Sequence, residues 1–229
     1  MKTLDDLVFL NIATQKDFIE PPGSLYIQNA EKIRRNLGKL TKLARKKGIK
    51  IINTADMHAS EDAEISENPD YIHTFPAHCI QGTEGAEFIF ETSPVNPYVI
   101  DYNNQTFNLN KLLDFKEIVL HKNEFDIFKG NPHAKEVFEF LNPRRLVVYG
   151  VTSNICVNQA IQGLFEILPE TKIYVPIDAI KEFYSEKEKS IFNESTLLSS
   201  LYKEWQEKGV QLTTKQGIYE LTGIRETCL

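Results

Sequence analysis

Asp56 and His58 flank a single residue at the end of the apolar run Ile49-Lys50-Ile51-Ile52-Asn53-Thr54. Side chains alternate along an extended chain, so the two point the same way. His78 follows twenty residues after His58. Two imidazoles and a carboxylate with a fourth position open suit zinc or iron. An Asp-x-His tripeptide also occurs by chance, and spacing alone leaves these residues as metal ligands or as ordinary loop residues. Cys156 is the second candidate, just inside a predicted helix N-terminus. Unpaired amides there favour negative charge, so the thiol pKa is expected to fall and the nucleophilic thiolate to be more populated. The competing reading is a small buried hydrophobe, as most free cysteines are. Lys122 ends another apolar run, Glu117-Ile118-Val119-Leu120-His121-Lys122. Beside Cys156 it would stabilise a thiolate and an oxyanion; elsewhere it is a solvated lysine.

These residues need elements to hold them. Apolar runs at 7–12, 49–54, 117–122, 145–150, 172–175 and 210–213 read as strands, with helical periodicity at 27–47, 132–141, 156–168 and 186–206. The run at 145–150 lies between Pro143 and Gly150, and Gly48 closes the first helix. Strand, helix, strand is a parallel crossover unit, and its repetition predicts one parallel sheet with helices on both faces. A long, weakly periodic segment runs from Asp56 through the acidic stretch 61–67 to Phe75-Pro76-Ala77-His78-Cys79. Such insertions are more often functional than filler. His73 and His121 read as surface or packing residues, and His133 as a first-turn helix residue.

Composition narrows the function. A chain of 229 residues that is 41% hydrophobic suits one domain, 1–229, with an ordinary core. A net charge of −6 without any Lys/Arg block argues against a nucleic-acid or anionic-membrane partner and for a small neutral or cationic one. Cys79, Cys156 and Cys228 form neither a disulfide framework nor a CxxC pair, which points to a reducing compartment. With no basic start leading into an apolar segment and no membrane-spanning run, a cytoplasmic address is expected.

Four motifs, in order, resemble those of the isochorismatase-like cysteine hydrolases, and their nicotinamidase-like branch most closely. Gln15-Lys16-Asp17-Phe18 is similar to the N-terminal signature, Thr54-Ala55-Asp56-Met57-His58 to the DxH metal motif, and Phe75-Pro76-Ala77-His78-Cys79-Ile80-Gln81-Gly82-Thr83-Glu84-Gly85-Ala86-Glu87 to the metal-histidine loop. Gly150-Val151-Thr152-Ser153-Asn154-Ile155-Cys156-Val157 is similar to the nucleophile turn, and Lys122 occupies the place of the catalytic lysine. The resemblance implies a three-layer α/β/α fold with a mostly parallel sheet, and an amidohydrolase that cleaves a small carboxamide such as nicotinamide through a cysteine thioester. It further implies an oxyanion hole from the amides of Thr152 and Cys156, and a cis peptide between Val151 and Thr152. Asp56, His58 and His78 would hold a divalent metal, foremost zinc, with iron or manganese as alternatives; Glu64, Asp70 or water would complete its coordination. Phe18 and Phe75 would pack on a flat heterocycle, and a homo-oligomer is expected.

The chain departs from that pattern at Ala13, which stands where the family has its catalytic aspartate. A methyl group carries no proton, and loss of a general acid/base typically lowers the rate by about 10² to 10⁴. Asp17 is expected to serve the loop structurally, and Asn11, on the same strand face as Ala13, has no useful proton affinity. Weakened catalysis is therefore one expectation, and a metal-containing binding protein without turnover another. A third is a family hydrolase of a different substrate, another amide or an enol ether.

Overall fold

The computed structural model describes residues 4, 6–185, 188, 190 and 193–223. Cys228 and part of the helix predicted at 186–206 lie outside the described residues.

Strands β1 (Leu7–Ile12), β2 (Lys50–Asp56), β3 (Tyr98–Ile100), β4 (Glu117–Lys122), β5 (Arg145–Val151), β6 (Lys172–Pro176), β7 (Ile180–Lys181) and β8 (Gln211–Thr213) form one sheet. Its order is β3-β4-β2-β1-β5-β6-β8, with β7 on the far end of β5. The strand pairings are parallel. Every residue of β1 and of β5 is buried, as continuous apolar strands covered on both faces must be. Asn11 and Asn53 interrupt that apolar interior and are paired within it, Asn11 Nδ2 donating to Asn53 Oδ1 at 2.9 Å and Asn53 Nδ2 to the Ile118 carbonyl at 3.2 Å.

Helix α1 (Lys16–Ile19) follows β1, and α2 (Arg34–Lys47) crosses back to β2. α2 buries Leu37, Leu40, Leu43 and Ala44 against the sheet, and Thr41 Oγ1 meets the Tyr149 hydroxyl of β5 at 3.0 Å. The predicted helix 27–47 begins later, after a 3₁₀ turn over Ala30–Ile33, because Asn29 adopts φ +66° and breaks the right-handed path. Gly48 closes α2 at φ +63°, as a helix C-terminus favours.

Helices α3 (Lys111–Asp114), α4 (Ile127–Gly130), α5 (Ala134–Leu141), α6 (Cys156–Ile167), α7 (Glu194–Glu207) and α8 (Lys215–Leu221) follow. α8 joins α2 through Tyr219, whose hydroxyl donates to the Lys39 carbonyl at 3.4 Å. On the other face α4 packs on α5 with Phe128 and Phe138 ring centroids 5.7 Å apart. α7 docks on α6 there, Trp205 Nε1 donating to Asn158 Oδ1 at 2.8 Å. The result is the expected three-layer α/β/α architecture. β3, β7 and the helices α1, α3, α4 and α8 escaped the sequence reading; β7 and the first three of those helices span only two to four residues.

Parallel strands share one carboxyl edge, where open α/β sheets place their ligands. Asp56 ends β2, Lys122 ends β4 and sits opposite it in the register, and Thr152 follows β5. The chain after β1 meets the same edge.

Candidate active site

Cys156 opens α6, whose Ile155 cap offers no side-chain acceptor, so the first amides are left to other partners. The preceding Val151–Thr152 peptide is cis. Thr152 and Cys156 line one cavity. Lys122 Nζ lies 3.9 Å from the Cys156 sulfur, donates to the Glu124 carbonyl at 3.1 Å, and forms a buried ion pair with Asp56 Oδ1. Burial works against the lysine's charge, but Asp56 outweighs it and holds Lys122 above its ordinary pKa. The same pair keeps Asp56 a carboxylate: burial would raise its pKa, and Lys122 with His58 lowers it.

The expected fall in the thiol pKa is not found. Burial pushes Cys156 up to about 12, and Asp56 and Glu64 add to the rise, against the opposing charge of Lys122. A helix terminus is one local field; desolvation and two facing carboxylates are larger here.

Asp56, His58, Glu64 and His78 are all buried, and one potential ligand atom from each lies within 4.8 Å of the others. His58 Nε2 stands 3.7 Å from Asp56 Oδ1 and 3.8 Å from Glu64 Oε1, and His78 Nε2 stands 3.7 Å from Glu64 Oε1. The outer nitrogens are engaged, His58 Nδ1 with Asp62 Oδ2 at 3.3 Å and His78 Nδ1 with the Pro76 carbonyl at 2.8 Å. This arrangement turns both Nε2 lone pairs inward, as carboxylate or carbonyl partners do for metal-bound histidines. Asp56 Oδ2 and His58 Nε2 are buried without hydrogen-bond partners among the described residues. Burial also lowers His78 to about 4, keeping its imidazole neutral, and raises Glu64 to about 7 with help from Asp56. Two nitrogens and two carboxylates with orphaned buried atoms fit a divalent cation of the zinc, iron or manganese type. Asp70, the other candidate the sequence left open, is exposed and accepts the amides of Ile72, His73 and Thr74 in its own loop.

Phe18 and Phe75 line a cavity of about 320 Å³, its mouth included, shared with Cys156, Thr152 and His78. Their ring centroids are 5.3 Å and 6.2 Å from that of His78. Phe125 and Phe183 complete the aromatic wall, packing on Phe75 at 6.3 Å and 6.4 Å. Sequence reasoning missed both, since neither belongs to a periodic run or to a motif. Asn154 places Phe183 by a reciprocal pair: its Nδ2 donates to the Phe183 carbonyl at 2.6 Å, and its Oδ1 accepts the Phe183 amide at 2.9 Å.

Ala13 is fully buried just beyond β1 at φ +48°, and its amide donates to the Thr54 carbonyl at 3.1 Å. Asp17 accepts the Ser24 amide at 2.9 Å and the Cys79 amide at 2.7 Å, which leaves it no part near the sulfur. Gln15 fixes the end of β2, accepting the Asp56 amide at 2.7 Å and donating to the Asp56 carbonyl at 2.7 Å. Asn11 is engaged with Asn53 and Thr14 inside the sheet. His121 bonds Asp101 at 2.8 Å and His133 meets the Asn104 carbonyl at 2.7 Å, both away from the cluster, and the His73 amide serves the Asp70 loop.

A family model described as Isochorismatase domain matches residues 8–197. No curated protein sequence matches the chain. Among solved structures, a cysteine hydrolase from Pseudomonas syringae pv. phaseolicola 1448A gives a TM-score of 0.72 at 15% identity, covering 95% of this chain and 92% of its own. Nicotinamidase from Bacillus subtilis gives 0.66 at 19% identity, covering 91% of this chain and 99% of its own. Pyrazinamidase of Pyrococcus horikoshii, in complex with zinc, gives 0.67 at 19% identity with coverages of 91% and 99%. At such identities the likeness to solved structures is one of fold. The family model spans most of the sequence, and on that match the chain belongs to the isochorismatase family of hydrolases.

Proposed function

We propose that this chain is a metal-containing amidohydrolase of the nicotinamidase type, acting on a small aromatic carboxamide, with turnover limited by Ala13. One observation carries the reading: Cys156 lies 3.9 Å from a buried Lys122 and shares one aromatic-walled cavity with Asp56, Glu64 and His78. Asp56, His58, Glu64 and His78 would hold a divalent cation, foremost zinc, which would supply a Lewis acid and a positive charge to offset the carboxylates facing the thiol. The rings of Phe18 and Phe75 suit the faces of a flat heterocycle. The Cys156 sulfur attacks the amide carbon, and the developing oxyanion meets the amides of Thr152 and Cys156 and the charge of Lys122. The C–N bond breaks and ammonia leaves. Water then cleaves the thioester, giving the carboxylic acid and the free thiol.

The thiol proton must reach the departing nitrogen, and Ala13 offers no carrier for it. Its φ of +48° is a conformation that aspartate adopts more readily than alanine, so the backbone accepts the family residue. Ammonia release from nicotinamide is measured on the zinc-loaded chain and on Ala13→Asp. The substitution is expected to raise the rate at least about tenfold, the low side of a restored general acid/base. No gain on any aromatic carboxamide tried overturns the catalytic reading. Ala13, together with a thiol held protonated, also favours a second reading, a binding protein without turnover. Tight nicotinamide binding with no ammonia released even by Ala13→Asp selects it.

A further inference from the structure

The cavity contains one buried polar group that neither the cation cluster nor the nucleophile uses. Thr152 is 7% exposed and lines the cavity beside Cys156. Its carbonyl accepts the amides of Ile155 at 3.2 Å and Val157 at 2.9 Å, and its amide is the oxyanion donor named above. Its hydroxyl oxygen is buried with no hydrogen-bond partner among the described residues. Native proteins rarely leave such a group unpaired, and an active site does so where the ligand brings the partner. The neighbouring Ser153 hydroxyl is also unpaired, but Ser153 is not among the residues lining the cavity.

We propose that the Thr152 hydroxyl is a specificity-determining group that accepts a hydrogen bond from the N–H of a primary carboxamide held against Cys156. This inference rests on the carboxamide reading above. An amide in a dry cavity brings two N–H donors that need acceptors near the sulfur. The carboxylate acceptors have other claims on them: Asp56 Oδ1 pairs with Lys122, Glu64 Oε2 accepts the Phe125 amide, and Glu64 Oε1 and Asp56 Oδ2 belong to the group that would hold a cation. Ala13 adds none, and the rings of Phe18, Phe75, Phe125 and Phe183 offer no side-chain oxygen. Thr152 lines the same cavity as Cys156, so an amide held against the sulfur lies within reach of this side chain. A site built to pair with an N–H rejects the analogue that lacks it, because the acceptor is then buried unpaired.

Equilibrium binding of nicotinamide and of 3-acetylpyridine to the zinc-loaded full chain tests this directly. The second compound carries a methyl ketone of nearly the same shape in place of the amide. The unsubstituted protein is expected to prefer nicotinamide by about tenfold, a modest instance of discrimination by a buried polar group. Thr152→Val keeps the β-branched shape without the hydroxyl and is expected to bring the ratio close to one, while Thr152→Ser retains the preference. Zinc content and circular dichroism establish that each variant is folded, and Thr152→Ala replaces the valine variant should that one fail. A ratio unchanged in the hydroxyl-free variant overturns the role of Thr152 while the carboxamide reading stands. Binding of neither compound by the unsubstituted protein overturns the carboxamide reading, and the Thr152 assignment with it.

Discussion

Glu64 is the residue on which the candidate cation site turns from three ligands to four. It sits in an acidic stretch where Glu61, Asp62, Glu64 and Glu67 look alike in sequence. Folded, Glu64 is 4% exposed, with one oxygen on the Phe125 amide at 2.5 Å and the other facing both histidines. Asp62 takes a different task, accepting from His58 and from the Ala59 amide. Glu64→Gln keeps the shape and removes the charge. It is expected to weaken zinc binding by roughly tenfold or more, about 1.4 kcal/mol, while Asp70→Asn leaves the affinity unchanged in the same titration. Equal losses in the two variants would remove Glu64 from the ligand set. Asp56 and His58 were legible beforehand because strand alternation aims them together. Glu64 was not, because a loop has no period, and its inward turn depends on an amide more than sixty residues away in the chain. The Cys156 thiol shows the same limit: the helix start is local and readable, whereas the burial that outweighs it is a property of the packed molecule.

Among the elements, the segment between β2 and β3 is pinned to the chain after β1, and this junction sets where His78 stands. Asp17 of α1 bonds the Cys79 amide, the Lys16 amide donates to the Glu87 carbonyl at 2.9 Å, and Gln15 holds the Ala86 carbonyl at 2.8 Å. Gly85 makes the approach possible, since a Cβ there would lie 2.2 Å from Asp17 Oδ2. Gly85→Ala is therefore expected to displace a carboxylate whose two oxygens both serve amides. The expected loss is about 1–3 kcal/mol in urea unfolding, as for other overpacked or unpaired buried groups, with weaker zinc binding because His78 loses its support. An unaltered unfolding midpoint would show that the loop is placed by other contacts. The sheet itself was readable because each long strand is a buried apolar run bounded by glycine, proline or charge. This junction was not readable, since what holds it is a set of side-chain bonds to backbone, and only the resemblance of Gln15-Lys16-Asp17-Phe18 marked it.

At the scale of the whole molecule, the sheet edge and the long loop meet around a concentration of buried charge. Asp56 and Glu64 are 1% and 4% exposed, and Lys122 is the cation paired with Asp56. Burying carboxylates without compensation is unfavourable, and the oxygen of Asp56 left unpaired identifies where compensation is missing. A divalent cation that binds this folded arrangement and not the unfolded chain must stabilise the fold in proportion to the logarithm of its concentration. At one hundred times its Kd that amounts to about 2.7 kcal/mol, which for a chain of this size raises Tm by roughly 5 to 10 °C. Thermal unfolding after chelation and after zinc addition measures the difference. The same comparison in Glu64→Gln should show a smaller increment at equal free zinc, because the ligand set is depleted while the strands are untouched. A Tm indifferent to zinc in the unsubstituted chain would mean that Lys122 alone balances the buried carboxylates, and the cluster would then be a charge network without a resident cation.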